Sequence, residues 1–157
     1  MVLRIILGAV CLAMAAGQLA SWQRMPQILG AYDVLPAAAV PWLAGALVVG
    51  ELVCGVWFLA RPRSQVLAPV WAYTAVSLAW AALGVQAYVR GLSVDNCGCF
   101  GIYLSQRLSP FVLAQDALLL VYAAVMIRSS LRARRVRTAA DLDRADNTSS
   151  VQRRRDR

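Results

Sequence analysis

Two cysteines one residue apart are the side chains of this sequence best suited to chemistry. Cys97 and Cys99 stand in the run Cys-Gly-Cys-Phe-Gly, residues 97–101. A thiolate at either position would exchange with a disulfide through a mixed disulfide. A disulfide across a single intervening residue is geometrically awkward, and strain of this kind makes a disulfide easy to reduce. The spacing therefore favours a redox-active dithiol.

Two other interpretations of this pair stay open. The cysteines could have a structural role, each packed or paired elsewhere, or they could bind a metal ion. The sequence contains no histidine, so two thiolates would leave zinc short of its usual four ligands. The lack of histidine also excludes Ser–His and Cys–His catalysis. We therefore expect no metal site.

Polar side chains inside apolar stretches are further candidates. An ionisable group within hydrocarbon is costly and is often functional, so Asp116 is predicted to handle a proton beside the cysteines, with a packing role as the alternative. For Glu51 the favoured role is an interhelical hydrogen bond. Gln18 and Gln86 are expected to join Asp116 in a polar cluster beneath the Cys97–Cys99 loop. No cofactor is evident from the sequence, although a quinone is a possible electron acceptor.

The remaining two cysteines lie within apolar stretches. Cys11 and Cys54 are predicted to be small buried side chains, because free cysteine is among the residues most often buried. A relay of thiols along the bundle is the alternative.

The elements that must position these side chains are predicted to be membrane helices. The chain is 60% hydrophobic and 15% charged, which is more apolar than a soluble domain requires. Each of four apolar stretches is long enough to cross ~30 Å of hydrocarbon at about 1.5 Å per residue. The stretches are Val2–Ala20, Ala38–Ala60, Val66–Val89 and Pro110–Ile127. The predicted fold class is an all-α, polytopic four-transmembrane-helix bundle over residues 1–130. A cleaved signal peptide is the alternative for the first stretch.

Residues 131–157 are predicted to form a basic, disordered tail, since they lack a periodic apolar face. The net charge is +8 and all 16 basic residues are arginine, most of them in this tail. We expect the tail to lie against anionic lipid heads. Without interleaved aromatic residues or a recognisable fold, nucleic acid is not an expected partner.

Arginine placement predicts the orientation in the membrane. The short loop Arg61–Ser64 and the segment after Ile127 are basic, so the positive-inside rule places them, with both termini, in the cytoplasm. Segments 21–37 and 90–109, including the Cys97–Cys99 loop, are then extracytoplasmic. Aromatic side chains in or beside these segments fit an interfacial belt, or alternatively a surface for ligand stacking; they are Trp22, Tyr32, Trp42, Tyr88 and Tyr103.

The chain resembles the MauE family of methylamine utilisation proteins, which is related to the DoxX-like four-helix group. The resemblance covers about residues 4–128, and its most specific match is the Cys-Gly-Cys-Phe-Gly run. Weaker matches are Glu51, Asp116 with the apolar residues that follow it, Ala16-Gly17-Gln18, with glutamine where the family often has lysine, and residues 28–36.

The resemblance implies a role in maturation of an extracytoplasmic enzyme of methylamine metabolism, through thiol-disulfide exchange with a thioredoxin-like partner. A small transporter and a structural assembly subunit of a membrane complex are the alternatives.

Overall fold

The structure is a computed structural model that describes residues 1–64 and 66–155. Within these residues the regular secondary structure is helical. The helices are α1 (Val2–Ala20), α2 (Met25–Gly30), α3 (Val40–Ala60), α4 (Ala68–Val89) and α5 (Pro110–Arg155), and the 3₁₀ turn Trp22–Arg24 joins α1 to α2. The side chains of residue 137 and of residues 140–143 and 145–155 are not described. The predicted all-α class is confirmed.

In the part of the chain that the structure describes, four helical segments are long and apolar enough to cross a membrane. They are Val2–Ala20, Val40–Ala60, Ala68–Val89 and Pro110–Val136. Large apolar side chains on them face outward; Trp71 and Val85, for example, are 57% and 51% exposed. Outward-facing apolar side chains on long helices suit hydrocarbon, where the helix satisfies its own backbone hydrogen bonds. The predicted four-helix membrane bundle is therefore confirmed.

Prolines mark where most of the helices begin. Proline stands in the first turn of α2, α3 and α4, and Pro110 begins α5. The first turn tolerates proline because its N–H groups have no partner within the helix. The sequence predicts no helix in segment 21–37, whereas Pro26 lies in the first turn of α2, whose Met25 and Leu29 are buried.

Glycines bring α1 and α3 close together. A Cβ added at Gly55 would lie 2.7 Å from Leu12 Cγ, and one added at Gly8 would lie 3.1 Å from the Gly55 carbonyl oxygen. Small residues let helix backbones approach closely in membranes. The bundle then continues by packing α3 against α4 and α4 against α5.

The fifth helix continues well beyond its apolar part. It runs to Arg155, through a segment that the sequence predicted to be disordered from residue 131. This segment contains no glycine or proline and has many alanine and arginine residues, which favour a helix. Residues 156 and 157 of the predicted tail lie outside the described residues.

The bundle has two ends that matter for function. The cysteine end consists of the 3₁₀ turn, α2 and the 90–109 loop. The Arg4 end consists of the start of α1, residues 61–64 and the part of α5 around Ser130. Arg4 hydrogen-bonds to both Ser64 and Ser130, so these three segments meet at one end of the bundle.

Candidate functional site

The 90–109 loop folds back on itself at the cysteine end. The Cys97 amide donates to the Gln106 carbonyl at 2.9 Å, and the Leu108 amide donates to the Val94 carbonyl at 2.9 Å. An exposed ion pair between Arg107 and Asp95, 3.1 Å long, adds little stability because water screens it. The backbone bonds therefore hold the cysteines in a fixed turn.

Asn96 builds the turn that contains both cysteines. Its side-chain oxygen accepts from the Gly98 amide at 3.0 Å, and its side-chain nitrogen donates to the Gly101 carbonyl at 2.9 Å. Asn96 is not among the residues that the sequence singles out. The available signal was an asparagine directly before a glycine-containing turn, where its side chain commonly bonds to the backbone two residues on.

Both thiols of the pair are buried. Cys97 is 2% exposed and Cys99 is 8% exposed. From α2, Ile28 packs over Gly98, where an added Cβ would lie 2.8 Å from Ile28 Cγ2 and 3.6 Å from the Trp80 ring. All four cysteines of the chain are free thiols in the structure. Helix α2 thus covers the turn that carries Cys97 and Cys99.

The two thiols have opposite acidities. A hydrogen bond from the Cys99 side chain lowers the pKa of Cys97 to about 7, against the opposing effect of burial. The same bond raises the pKa of Cys99, and burial raises it further. The charge of Asp116 acts on both thiols and disfavours their ionisation. One thiol is therefore prepared to ionise while its neighbour keeps the proton.

Tyr32 supports the turn from the segment after α2. Its hydroxyl donates to the Cys97 carbonyl at 2.9 Å, and the side chain is 2% exposed. Burial raises the pKa of this phenol, so it stays a hydrogen-bond donor. The sequence predicts an interfacial location for Tyr32, which suits the 82% exposed Trp42 but not the buried Tyr32.

A buried hydrogen-bond network connects the turn to the centre of the bundle. The Gln18 side-chain nitrogen donates to Glu51 Oε2 at 2.8 Å and to the Cys99 carbonyl at 3.0 Å. The Trp80 indole donates to Glu51 Oε1 at 2.9 Å. These side chains of α1, α3 and α4 are at most 2% exposed. Glu51 thus makes interhelical hydrogen bonds, the role favoured for it from the sequence.

Asp116 lies near the cysteines, but the expected polar cluster has a different composition. Asp116 is 6% exposed, and its Oδ2 would be 3.3 Å from a Cβ at Gly84 on α4. Gln86 lines a separate groove, and its buried Oε1 has no hydrogen-bond partner among the described residues. Gln18 pairs with Glu51 instead of Asp116, because Glu51 on α3 faces α1.

Cys11 and Cys54 belong to a different part of the core. They are 5% and 0% exposed and pack with Leu7 and Phe58, as expected for small buried side chains. Together with Glu51 they line a cavity of about 10 Å³, which is room for roughly one water molecule. Among the described residues, no group of three or more cysteine or acidic side chains is placed to hold a metal ion.

Comparison with known proteins identifies the family. The family model for methylamine utilisation protein MauE matches residues 1–129. Searches among curated proteins and among solved structures gave no match. The matched residues include helices α1–α4, most of the apolar part of α5, and the Cys97–Cys99 turn. With its four membrane-spanning segments, this chain therefore belongs to the MauE family of methylamine utilisation proteins and is a multi-pass membrane protein.

Proposed function

We propose that this MauE-family protein takes part in maturation of an extracytoplasmic enzyme by thiol-disulfide exchange through Cys97 and Cys99. The observation that carries the proposal is the placement of both free thiols in one buried turn, where the Cys99 side chain lowers the pKa of Cys97. Thiolates are the reactive form in exchange, and a thiol with a pKa near the ambient pH combines ionisation with nucleophilicity.

The exchange has two steps. The Cys97 thiolate attacks a disulfide of a thioredoxin-like partner, forming a Cys97–partner bond and releasing one partner sulfur as a thiolate. Cys99 then loses its proton and attacks Cys97 Sγ, forming the Cys97–Cys99 disulfide and releasing the second partner thiolate. The partner gains the two electrons that the cysteine pair loses. Run in reverse, the same steps oxidise the partner.

Asp116 is the group proposed to accept the proton from Cys99. It lies inside the bundle close enough to influence both thiols, and a carboxylate near a thiol can take up the proton that must leave before the second attack. The Gln18 and Tyr32 hydrogen bonds hold the backbone carbonyls of Cys99 and Cys97, so these two residues position the pair.

The proposed orientation places the cysteine end in the extracytoplasmic space. The Arg4 end carries Arg61 and Arg63, and several arginines follow Ile127 in α5, which favours a cytoplasmic location for that end. Disulfides persist outside the cytoplasm, so the opposite end would meet partners that carry them. Both termini are then cytoplasmic.

Reaction with a protein partner requires the turn to be uncovered. Ile28 and the rest of α2 cover it, and α2 has six residues, so we propose that α2 moves aside as the partner docks. A short helix held by a few buried side chains opens locally at lower cost than a long one.

A quinone is the electron acceptor that suits the adjoining groove. This groove has a volume of about 320 Å³ and is lined by Leu35, Leu43, Leu83 and Gln86 among others. Leu83 belongs to the same buried cluster as Cys97 and Cys99, and the partly buried Leu43 packs against that cluster. The groove is mostly apolar, and Gln86 Oε1 would accept a hydrogen bond from a hydroxyl of the reduced quinol. In the direction that oxidises the partner, a quinone bound there would take the two electrons and two protons of the reduced cysteine pair.

Cys99→Ser is expected to accumulate a mixed disulfide, because the second attack is removed while Cys97 still reacts. The membranes are incubated with a thioredoxin-like protein that has a single reactive cysteine, joined in a disulfide to a small thiol. Non-reducing electrophoresis would then show the mixed disulfide as a band that disappears on reduction. Cys54→Ser leaves the pair intact and is the matched control for loss of one cysteine. Full maturation activity in Cys97→Ser/Cys99→Ser would contradict the proposal.

The pH dependence of Cys97 alkylation is expected to depend on a hydrogen-bond donor in the side chain at position 99. In Cys99→Ser the hydroxyl still donates, so alkylation of Cys97 by iodoacetamide should reach half its maximal rate near pH 7 and fall below that pH, as the reactive thiolate takes up a proton. In Cys99→Ala the donor is gone and the midpoint should move toward or beyond 9.0, the ordinary value. Equal midpoints in the two variants would contradict this assignment. Cys11 and Cys54 are replaced by serine in both.

The burial of both thiols favours a second candidate function, a structural assembly subunit. In that case the turn packs the loop against α1 and α2, and the thiols never react. Cys97→Ser/Cys99→Ser would then retain co-purification with its membrane partner and maturation activity, whereas the exchange mechanism predicts that maturation is lost.

A transporter that uses Glu51 and Asp116 would instead lose activity in Asp116→Asn with the thiols redox-inert.

A further inference from the structure

An open cavity lies at the Arg4 end, away from the cysteines. Its volume is about 340 Å³, within the range of small-ligand sites of about 300–1,000 Å³. The polar side chains that line it are Arg4, Arg63, Ser64, Ser129 and Ser130, and none of the lining residues is acidic. The cavity is thus positively charged and rich in hydroxyl groups.

Arg4 is a buried cation without an acidic partner in the described part of the chain. It is 8% exposed, and its guanidinium packs 5.8 Å from the centre of the Phe58 ring. Asp33 and Asp95 pair with Arg90 and Arg107 at the cysteine end, away from Arg4. A buried charge without a counter-charge is costly, so an anion at this position would stabilise the folded protein.

The hydrogen bonds of Arg4 leave donors for such an anion. The guanidinium donates to the Ser64 carbonyl and, at 3.1 Å, to Ser130 Oγ. Arginine has five N–H donors in a planar fork that suits phosphate oxygens, and these two bonds use two of them. Because Ser130 accepts from Arg4, its own hydroxyl proton remains available to the cavity.

The position of the cavity fits the phosphate layer of a bilayer. It lies where the membrane-spanning segments α1 and α5 meet residues 61–64, the first part of the connection between α3 and α4. At the ends of transmembrane helices, basic pockets between helices receive anionic lipid headgroups. The exposed Arg63 stands at the rim and would add a second positive charge.

We propose that this cavity binds a phosphate group, with Arg4 and Ser130 at its floor and Arg63 at its rim. The phosphate belongs either to an anionic phospholipid headgroup or to a free phosphate compound, and the two sources share this recognition chemistry. Binding ties together α1, the residues that join α3 to α4, and α5, so ligand occupancy should raise the stability of the bundle. This site is independent of the thiol chemistry at the other end.

The test uses the full chain purified in an uncharged detergent. Its thermal unfolding is followed by tryptophan fluorescence during titration with phosphatidylglycerol, with zwitterionic phosphatidylcholine or with inorganic phosphate. Arg63→Gln removes an exposed charge from the rim, and Ser130→Ala removes a floor hydroxyl while keeping Arg4. Arg24→Gln is the matched control, since it removes an exposed arginine at the cysteine end.

The phosphatidylglycerol concentration that gives half-maximal stabilisation should be the same for the wild type and Arg24→Gln. For Arg63→Gln and Ser130→Ala this concentration should be about tenfold higher, which is the loss of affinity expected for one charge-assisted hydrogen bond. Stabilisation by phosphatidylglycerol but not by the other two additives supports a headgroup. Equal stabilisation by inorganic phosphate supports a free phosphate compound. Unchanged response in both cavity variants, or no response to any additive, would overturn the proposal.

Discussion

Gly101→Ala is expected to reduce the free energy of unfolding by on the order of 3 kcal/mol, because a methyl group at this position would clash with neighbouring atoms. The added Cβ would overlap Ser21 Oγ and the Gly17 carbonyl, and backbone atoms of a helix cannot move aside cheaply. Gly101 also has φ +63°, which an L-residue adopts at a cost of about 1–2 kcal/mol. The result would be a displaced 90–109 loop.

Gly91→Ala is the matched control for this substitution. Gly91 has φ +66°, almost the same conformation, but nothing lies within 4 Å of its added Cβ. It closes the end of α4, where the Leu92 amide donates to the Ala87 carbonyl at 3.0 Å. Denaturant unfolding of both variants in detergent should show a loss of about 1 kcal/mol for Gly91→Ala. Similar losses in the two variants would mean that the contacts of Gly101 with α1 do not stabilise the loop.

Glu51→Leu is expected to lower the free energy of unfolding by about 3 kcal/mol or more. It leaves two buried donors without an acceptor, and each such donor costs about 1–3 kcal/mol. These donors are the Trp80 indole and one N–H of the Gln18 amide, whose other N–H keeps the Cys99 carbonyl as its acceptor. Glu51→Gln keeps one carbonyl oxygen as acceptor and should lose roughly half as much. Equilibrium unfolding in detergent, with each variant's helix content verified beforehand by circular dichroism, measures both.

A double-mutant cycle separates the hydrogen bond from general packing effects. Trp80→Phe removes the indole donor. In the Glu51→Leu background the indole has no acceptor, so removing it breaks no hydrogen bond. The double variant should therefore be more stable than the sum of the single losses predicts, by about 1 kcal/mol. Strict additivity would show that the 2.9 Å contact between Trp80 and Glu51 contributes nothing to stability.

The spanning helices could be predicted closely because hydrocarbon imposes a simple rule. A helix that crosses it needs a continuous apolar stretch of fixed minimum length, and α1 begins and ends where the sequence indicated. Helix α2 was missed because six residues are too few to show a helical period. The extension of α5 was missed because polar composition was weighed more heavily than the absence of helix-breaking residues.

The reactive pair of the candidate site was visible in the sequence, but most of its supporting residues were not. Cys97 and Cys99 stand out by type and spacing. Tyr32 and Trp80 do not, because an aromatic residue with one polar atom suits a membrane interface and a buried hydrogen bond equally well. The Gln18–Glu51 bond joins residues 33 positions apart, and no local pattern specifies which polar side chains of different helices meet.

The cover over Cys97 and Cys99 has a protective consequence. A thiolate that ionises near neutral pH is normally vulnerable to peroxides, which carry it through sulfenic acid to irreversible oxidation products. With the side chains 2% and 8% exposed, dissolved oxidants would meet Ile28 and its helix before they meet sulfur. Selectivity would then come from access as well as from reactivity: a partner that displaces the six residues of α2 reaches the sulfur atoms directly, whereas a small reagent reaches them only when this helix opens by itself.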